Sequence, residues 1–95
     1  MENKGGIFMT EQEVKQTIDN LKDFKNTTVN FNENKKICDI YTRCTLPQED
    51  FLAKVKSIKK IEVVQCDFGI FELIIPIKDL EKTLDSFVKT FSTEE

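Results

Sequence analysis

Residues 29–58 and 61–91 each read strand, strand, helix. Set side by side, "CDIYTRCTLPQEDFLAKVKSI" and "GIFELIIPIKDLEKTLDSFVKTF" share a strand, a proline-bearing junction, an acidic first turn and an amphipathic helix. A lone two-stranded hairpin is marginal in water, and one helix cannot cover it fully. Neither unit can bury its apolar side by itself, so the pattern predicts that both share one sheet. It also suggests an internal ββα duplication.

The local signals agree. "TEQE" sets Thr10 three residues before Glu13, the capping-box spacing, ahead of Val14, Ile18 and Leu21 at helical steps. A first helix is predicted over roughly Glu11 to Phe24. "NTTVNFNENKKICDIYTRC" reads as a hairpin: Thr27, Thr28, Val29 and Phe31 are strand formers, and "NENK" supplies turn residues. Its second strand alternates, with Cys38, Ile40, Thr42 and Cys44 on one side and Asp39, Tyr41 and Arg43 on the other. "TLPQEDFLAKVKSIKK" is the second helix, with Pro47 in its first turn and Phe51, Val55 and Ile58 as its buried stripe. "IEVVQCDFGIFELIIP" is a second hairpin whose turn uses Gly69, a residue free to take positive φ. Its return strand is apolar on both sides, Phe71, Leu73 and Ile75 against Ile70 and Ile74, which places it mid-sheet or at an interface. "IKDLEKTLDSFVKTF" is the third helix, carrying Leu80, Leu84, Phe87, Val88 and Phe91 on one side.

The expected fold is therefore α+β, in the order αββαββα, with a four-stranded, mostly antiparallel sheet and helices on one face. Residues 10–92 form the single domain, 1–9 a flexible tail and 93–95 a frayed end. The element order resembles a circular permutation of the ferredoxin-like plait with an added C-terminal helix. That resemblance rests on element order rather than on a motif, and such a fold hosts many unrelated functions.

Composition narrows the chemistry. The 95 residues carry 14 basic and 17 acidic side chains, a net charge of -3. A mildly acidic chain is poorly suited to nonspecific nucleic-acid binding, so nucleic acid is an unlikely partner. The sequence has no apolar run long enough to span a membrane and no signal-peptide core at its start, so a cytoplasmic location is expected. Histidine is absent. That removes the commonest general base, every Ser-His or Cys-His nucleophile pair and most catalytic zinc sites. No cofactor is indicated. "DFG" at 67–69 echoes the kinase triplet, but three glycines in all leave no phosphate-cradling loop, and the chain is too short for a kinase.

Cys38 and Cys44 form the nearest thing to a chemical motif. Along one strand, six residues at ~3.3 Å each separate them by roughly 20 Å. A disulfide or a shared metal ion needs them within about 7 Å. They read as small core residues, and no metal site is expected. Cys66, beside the second turn, is the more accessible thiol. The acids at Glu11, Glu13, Glu49, Asp50, Asp79 and Glu81 fall in first turns, where they complement helix dipoles. Lys54, Lys56, Lys59 and Lys60 form a basic cluster at the expected end of the second helix, again a favourable place for cations.

What remains is surface. Asp39, Tyr41 and Arg43 project from the side of the sheet opposite the core, beside Ile70 and Ile74. Tyr and Arg among aliphatics have the composition of a protein interface. The expected function is a non-enzymatic interaction module, a regulator or inhibitor docking on a larger protein through its open sheet face or an edge strand, or a homodimer joined through Ile70 and Ile74. The alternative is a dimeric small-ligand-binding regulatory domain, with Gln65, Thr42 and Arg43 as the candidate polar groups. A third reading is an RNA-binding plait using Phe31, Tyr41 and the lysines.

Overall fold

The computed structural model describes residues 9–92, so the expectations for residues 1–8 and 93–95 lie outside the described residues. Four strands and three helices follow one another as α1 (Glu11–Asp19), β1 (Phe24–Asn32), β2 (Ile37–Cys44), α2 (Gln48–Val55), β3 (Glu62–Asp67), β4 (Ile70–Pro76) and α3 (Leu80–Phe91). A single 3-10 turn, Ile77–Asp79, joins β4 to α3. The fold is α+β, and the strand order across the open sheet is β1-β2-β4-β3 with every adjacent pair antiparallel. After β2 the chain runs through α2 and returns at the far edge, leaving the position beside β2 for β4. The doubly apolar β4 thus sits inside the sheet, as its sequence demands.

α1 opens on the capping box: the Thr10 hydroxyl accepts from the Glu13 amide at 3.1 Å, and the Glu13 carboxylate accepts from the Thr10 amide at 2.9 Å. The helix stops at Asp19, five residues before its expected end at Phe24. Tertiary packing explains the difference. Phe24 begins β1 with its ring 5.1 Å from Phe91, 5.2 Å from Phe87 and 5.9 Å from Phe51, at the hub of an aromatic cluster that also sets Phe51 against Phe71 at 4.4 Å with the rings tilted. Packing against three rings from two other helices overrides the helical step that Phe24 also satisfies locally.

α2 is likewise shorter than expected. Pro47 caps it from outside rather than lying in its first turn, and the helix ends at Val55. Ser57 donates its hydroxyl to the Lys54 carbonyl at 2.9 Å, so a side chain takes over an acceptor that a longer helix would use. Of the four lysines, only Lys54 lies in the last turn and Lys56 is the C-cap. Lys59 and Lys60 belong to the loop before β3, with Lys60 at φ 65°. The dipole argument therefore holds for the first two alone.

One core unites the inward sheet face with all three helices. Val14 and Ile18 of α1, Phe51 and Val55 of α2, and Leu80, Leu84, Phe87 and Phe91 of α3 pack on Phe24, Val29, Cys38, Ile40, Cys44, Phe71, Leu73 and Ile75. Burial of that many large side chains, at about 1.5–3 kcal/mol each, is the principal stabilising term. Within it, the Thr27 and Thr42 hydroxyls share a 2.9 Å hydrogen bond, so neither buried oxygen is orphaned. Met9 packs against the same core.

The two edges of the sheet differ. Along β1, α1 lies close and turns carboxylates onto the strand: the Phe31 amide donates to Glu11 Oε2 at 2.8 Å, and the Thr27 amide to Asp19 Oδ1 at 3.3 Å. Lys15 holds Asp19 in place at 2.8 Å. Burial works against the Asp19 charge, but Lys15 and Thr27 outweigh it and hold the carboxyl below its ordinary range. Along β3 every residue except Val63 is exposed, and among the described residues no side chain from another element bonds to its amides or carbonyls.

Candidate functional site

The face of the sheet turned away from the helices is built by the alternation of its strands. Strand register sets Thr28, Tyr41, Glu72 and Val64 in one row across all four strands, and Asn30, Asp39, Ile74 and Glu62 in the next. Arg43 lies opposite Ile70 at one end. The sequence-expected site residues Asp39, Tyr41, Arg43, Ile70 and Ile74 are therefore brought onto one surface. Tyr41 is 37% and Val64 42% exposed, Arg43 is exposed, and Asp39, Ile70 and Ile74 are half-buried.

Glu72 is the member that sequence reading passed over. It stands between Ile70 and Ile74, and the same alternation that placed those two places it beside Tyr41. The β2–β4 register makes it the diagonal neighbour of Asp39. Asp39 Oδ1 is buried with no hydrogen-bond partner. Burial first, then a hydrogen bond and repulsion from Glu72, push the Asp39 pKa up to about 6, against a smaller opposing pull from Lys35. Burial disfavours the carboxylate, and a second carboxyl nearby makes the proton harder still to lose. The Asp39 charge, followed by partial burial and Glu72, also raises the Tyr41 hydroxyl above its ordinary value.

The cysteines separate cleanly. Cys38 and Cys44 are buried and unpaired on the inward side of β2. Burial, with help from Asp39 and Glu11, pushes Cys38 up to about 12, and burial raises Cys44 as well. Thiols held so far from ionisation are poor nucleophiles and poor ligands. Cys66 is exposed on the open side. Among the described residues no group of three or more His, Cys, Asp or Glu side chains is placed to hold a metal ion.

The polar groups considered for a small ligand do not converge. Thr42 faces the core and bonds Thr27, Gln65 bonds Gln48 across the β3–α2 side at 2.9 Å, and Arg43 points to the opposite face. Phe31 packs toward the core while Tyr41 faces away, so they make no common stacking platform for RNA. An apolar groove lies elsewhere, at the end of the sheet: about 740 Å³ lined by Met9, Phe31, Ile37, Pro76, Ile77 and Leu80, with Glu33, Lys35, Lys36 and Lys78 around it. Among the described residues no helix is long and apolar enough to cross a membrane. No protein family, no curated protein and no solved structure matches this chain.

Proposed function

We propose that this chain is a non-enzymatic protein-interaction module that docks on a larger protein through the open face of its sheet, as a regulator or inhibitor. The observation that carries the reading is the uncovered row Thr28–Tyr41–Glu72–Val64, in which an aromatic ring, a valine and a carboxyl share one surface, with Asp39 in the next row. An aromatic anchor ringed by aliphatic and charged groups is the usual make-up of an energetic centre in protein interfaces. The inert core thiols and the lack of histidine leave the chain few groups suited to turnover. The strand order, with α2 carrying the chain past β4, is the one that a permuted ferredoxin-like plait requires, and the ββα halves meet at β2 and β4 as a duplication would place them.

The test compares wild type with Tyr41→Ala and Arg43→Ala as bait. Both variants keep the melting temperature, and a protein captured by wild type and then purified binds each of them more weakly. A purified partner that binds both variants with unchanged affinity overturns the reading.

A second reading has its own observation in the 740 Å³ groove. Apolar walls with three lysines against one glutamate, Glu33, around them fit a long-chain carboxylate, its tail inside and its head at the lysines. Titration with oleate, followed by chemical shifts of Ile37 and Ile77, checks it; unmoved shifts exclude it.

A further inference from the structure

The four lysines that cluster in sequence part company in the fold. Lys54 and Lys56 end α2, whereas Lys59 and Lys60, in the loop before β3, line a cavity of about 440 Å³ together with Lys82 of α3. A space of that size suits a small molecule. Asp79, Lys82, Thr83 and Ser86 recur at one-turn steps, so one face of the start of α3 builds that wall. The loop opposite is tied to it, because the buried Thr83 hydroxyl donates to the Lys59 carbonyl at 3.4 Å. Lys60 follows at φ 65°, a left-handed conformation that residues other than glycine seldom adopt and that gathers at binding sites.

The charge in this cavity runs against the rest of the chain. The protein is acidic overall, at -3, yet three ammonium groups line one space. Among the described residues none of the three forms an ion pair. Asp79 is the one carboxylate in the wall, and its Oδ2 is closed off from solvent. Cations gathered in excess of their counter-charges repel one another, so the arrangement does not stabilise the fold by itself. The Ser57 and Thr83 hydroxyls already donate to the Lys54 and Lys59 carbonyls. The donors left facing the cavity are the three ammonium groups and the Ser86 hydroxyl. We propose that this cavity binds a small phosphorylated molecule, its phosphate held by Lys59, Lys60 and Lys82 with Ser86 as a further donor. A phosphate monoester carries about -1.5 to -2 at neutral pH, which matches three cations set against one carboxylate. Its tetrahedral oxygens accept from several directions, as donors converging from a loop and a helix require.

The cavity lies among α2, α3 and the loop before β3, away from Tyr41, so this inference and the open-face reading fail separately. The test is an NMR titration of the full chain with inorganic phosphate and with glycerol phosphate, at ionic strength held constant by sodium chloride. Both probes should shift the amides of Ser57, Lys60, Lys82 and Ser86 saturably. Lys60→Gln and Lys82→Gln should each raise the Kd about fivefold, and Lys54→Gln, outside the cavity, should leave it unchanged. Melting temperatures equal to that of wild type show that the variants stay folded. Flotation with phosphatidylcholine vesicles containing phosphatidic acid identifies the source: saturable shifts with flotation that Lys60→Gln weakens place the phosphate on a lipid head, and shifts without flotation place it on a soluble molecule. Shifts that grow without saturating, or that sodium chloride alone reproduces, overturn the proposal. So does a Lys54→Gln loss as large as that of Lys60→Gln, which would mean a diffuse field, or a single-stranded RNA oligomer that moves the same amides at lower concentration than either phosphate.

Discussion

β1 and β3 occupy equivalent places, each the outer strand of a hairpin followed by a helix, yet their surroundings are opposite. β1 sends Phe24, Thr27 and Val29 into the core and donates two amides to carboxylates of α1. β3 half-buries Val63 alone and carries no such cap among the described residues. The difference traces to α1, which lies against the first hairpin and has no counterpart beside the second. A single extra helix, with one acid at each end, is enough to cover one edge and leave the other without such a cap.

The contrast can be broken by substitution. Phe24→Ala removes the hub of the ring cluster and should cost about 3–5 kcal/mol in urea unfolding, while Val64→Ala at the opposite edge should stay within about 0.5 kcal/mol. Comparable losses at both sites would mean that β3 is as firmly packed as β1. Next in size, Thr42→Val strands the buried Thr27 hydroxyl and should cost about 1–3 kcal/mol by the same measurement, because the hydroxyl pair seals β1 to β2.

Two carboxylates sharpen the contrast through pH, with opposite signs. Asp39 has its native pKa raised from 3.8 to about 6, so its contribution to stability is complete below 3.8 and is lost as pH rises through about 6. Asp39→Asn should therefore stabilise the protein at pH 7, by about 1 kcal/mol once partial solvation is allowed for, and the gain should vanish near pH 4. Asp19 is lowered, so its contribution is present above the unfolded carboxylate pKa of 3.8 and fades as pH falls through its lower native value. Side-chain carboxyl shifts in an NMR titration separate the two. The smallest effect is expected of Glu11→Gln: about 0.5 kcal/mol, with faster hydrogen exchange at the Phe31 amide. Unchanged exchange there would show that the amide does not depend on the carboxylate.

Much of the fold was legible because alternation is a local signal. The inward set Cys38, Ile40, Thr42 and Cys44, the positive φ of Gly69 at 78°, the doubly apolar β4 and the buried stripes of the helices all follow from near neighbours in sequence. The misreadings lie where distant residues decide. Phe24 satisfied a helical step and a strand start equally well, and only Phe51, Phe87 and Phe91 arbitrate between them. The lysines looked helical until Ser57 claimed the Lys54 carbonyl. The open-face surface was legible as a set of residues, but Glu72 was hidden between two isoleucines, and its pairing with Asp39 needs the β2–β4 register, which no single strand encodes. The edge capping was invisible for the same reason: Glu11 reads as a dipole acid, and only the fold aims it at Phe31, twenty residues away.

Tyr41 is the sole tyrosine, and tryptophan is absent. Ultraviolet emission from the native protein therefore comes from a single phenol standing on the sheet's uncovered side, next to ionisable carboxyls that quench it according to their charge. Any molecule that lands there must dim or brighten that one lamp, and no label is needed to see it.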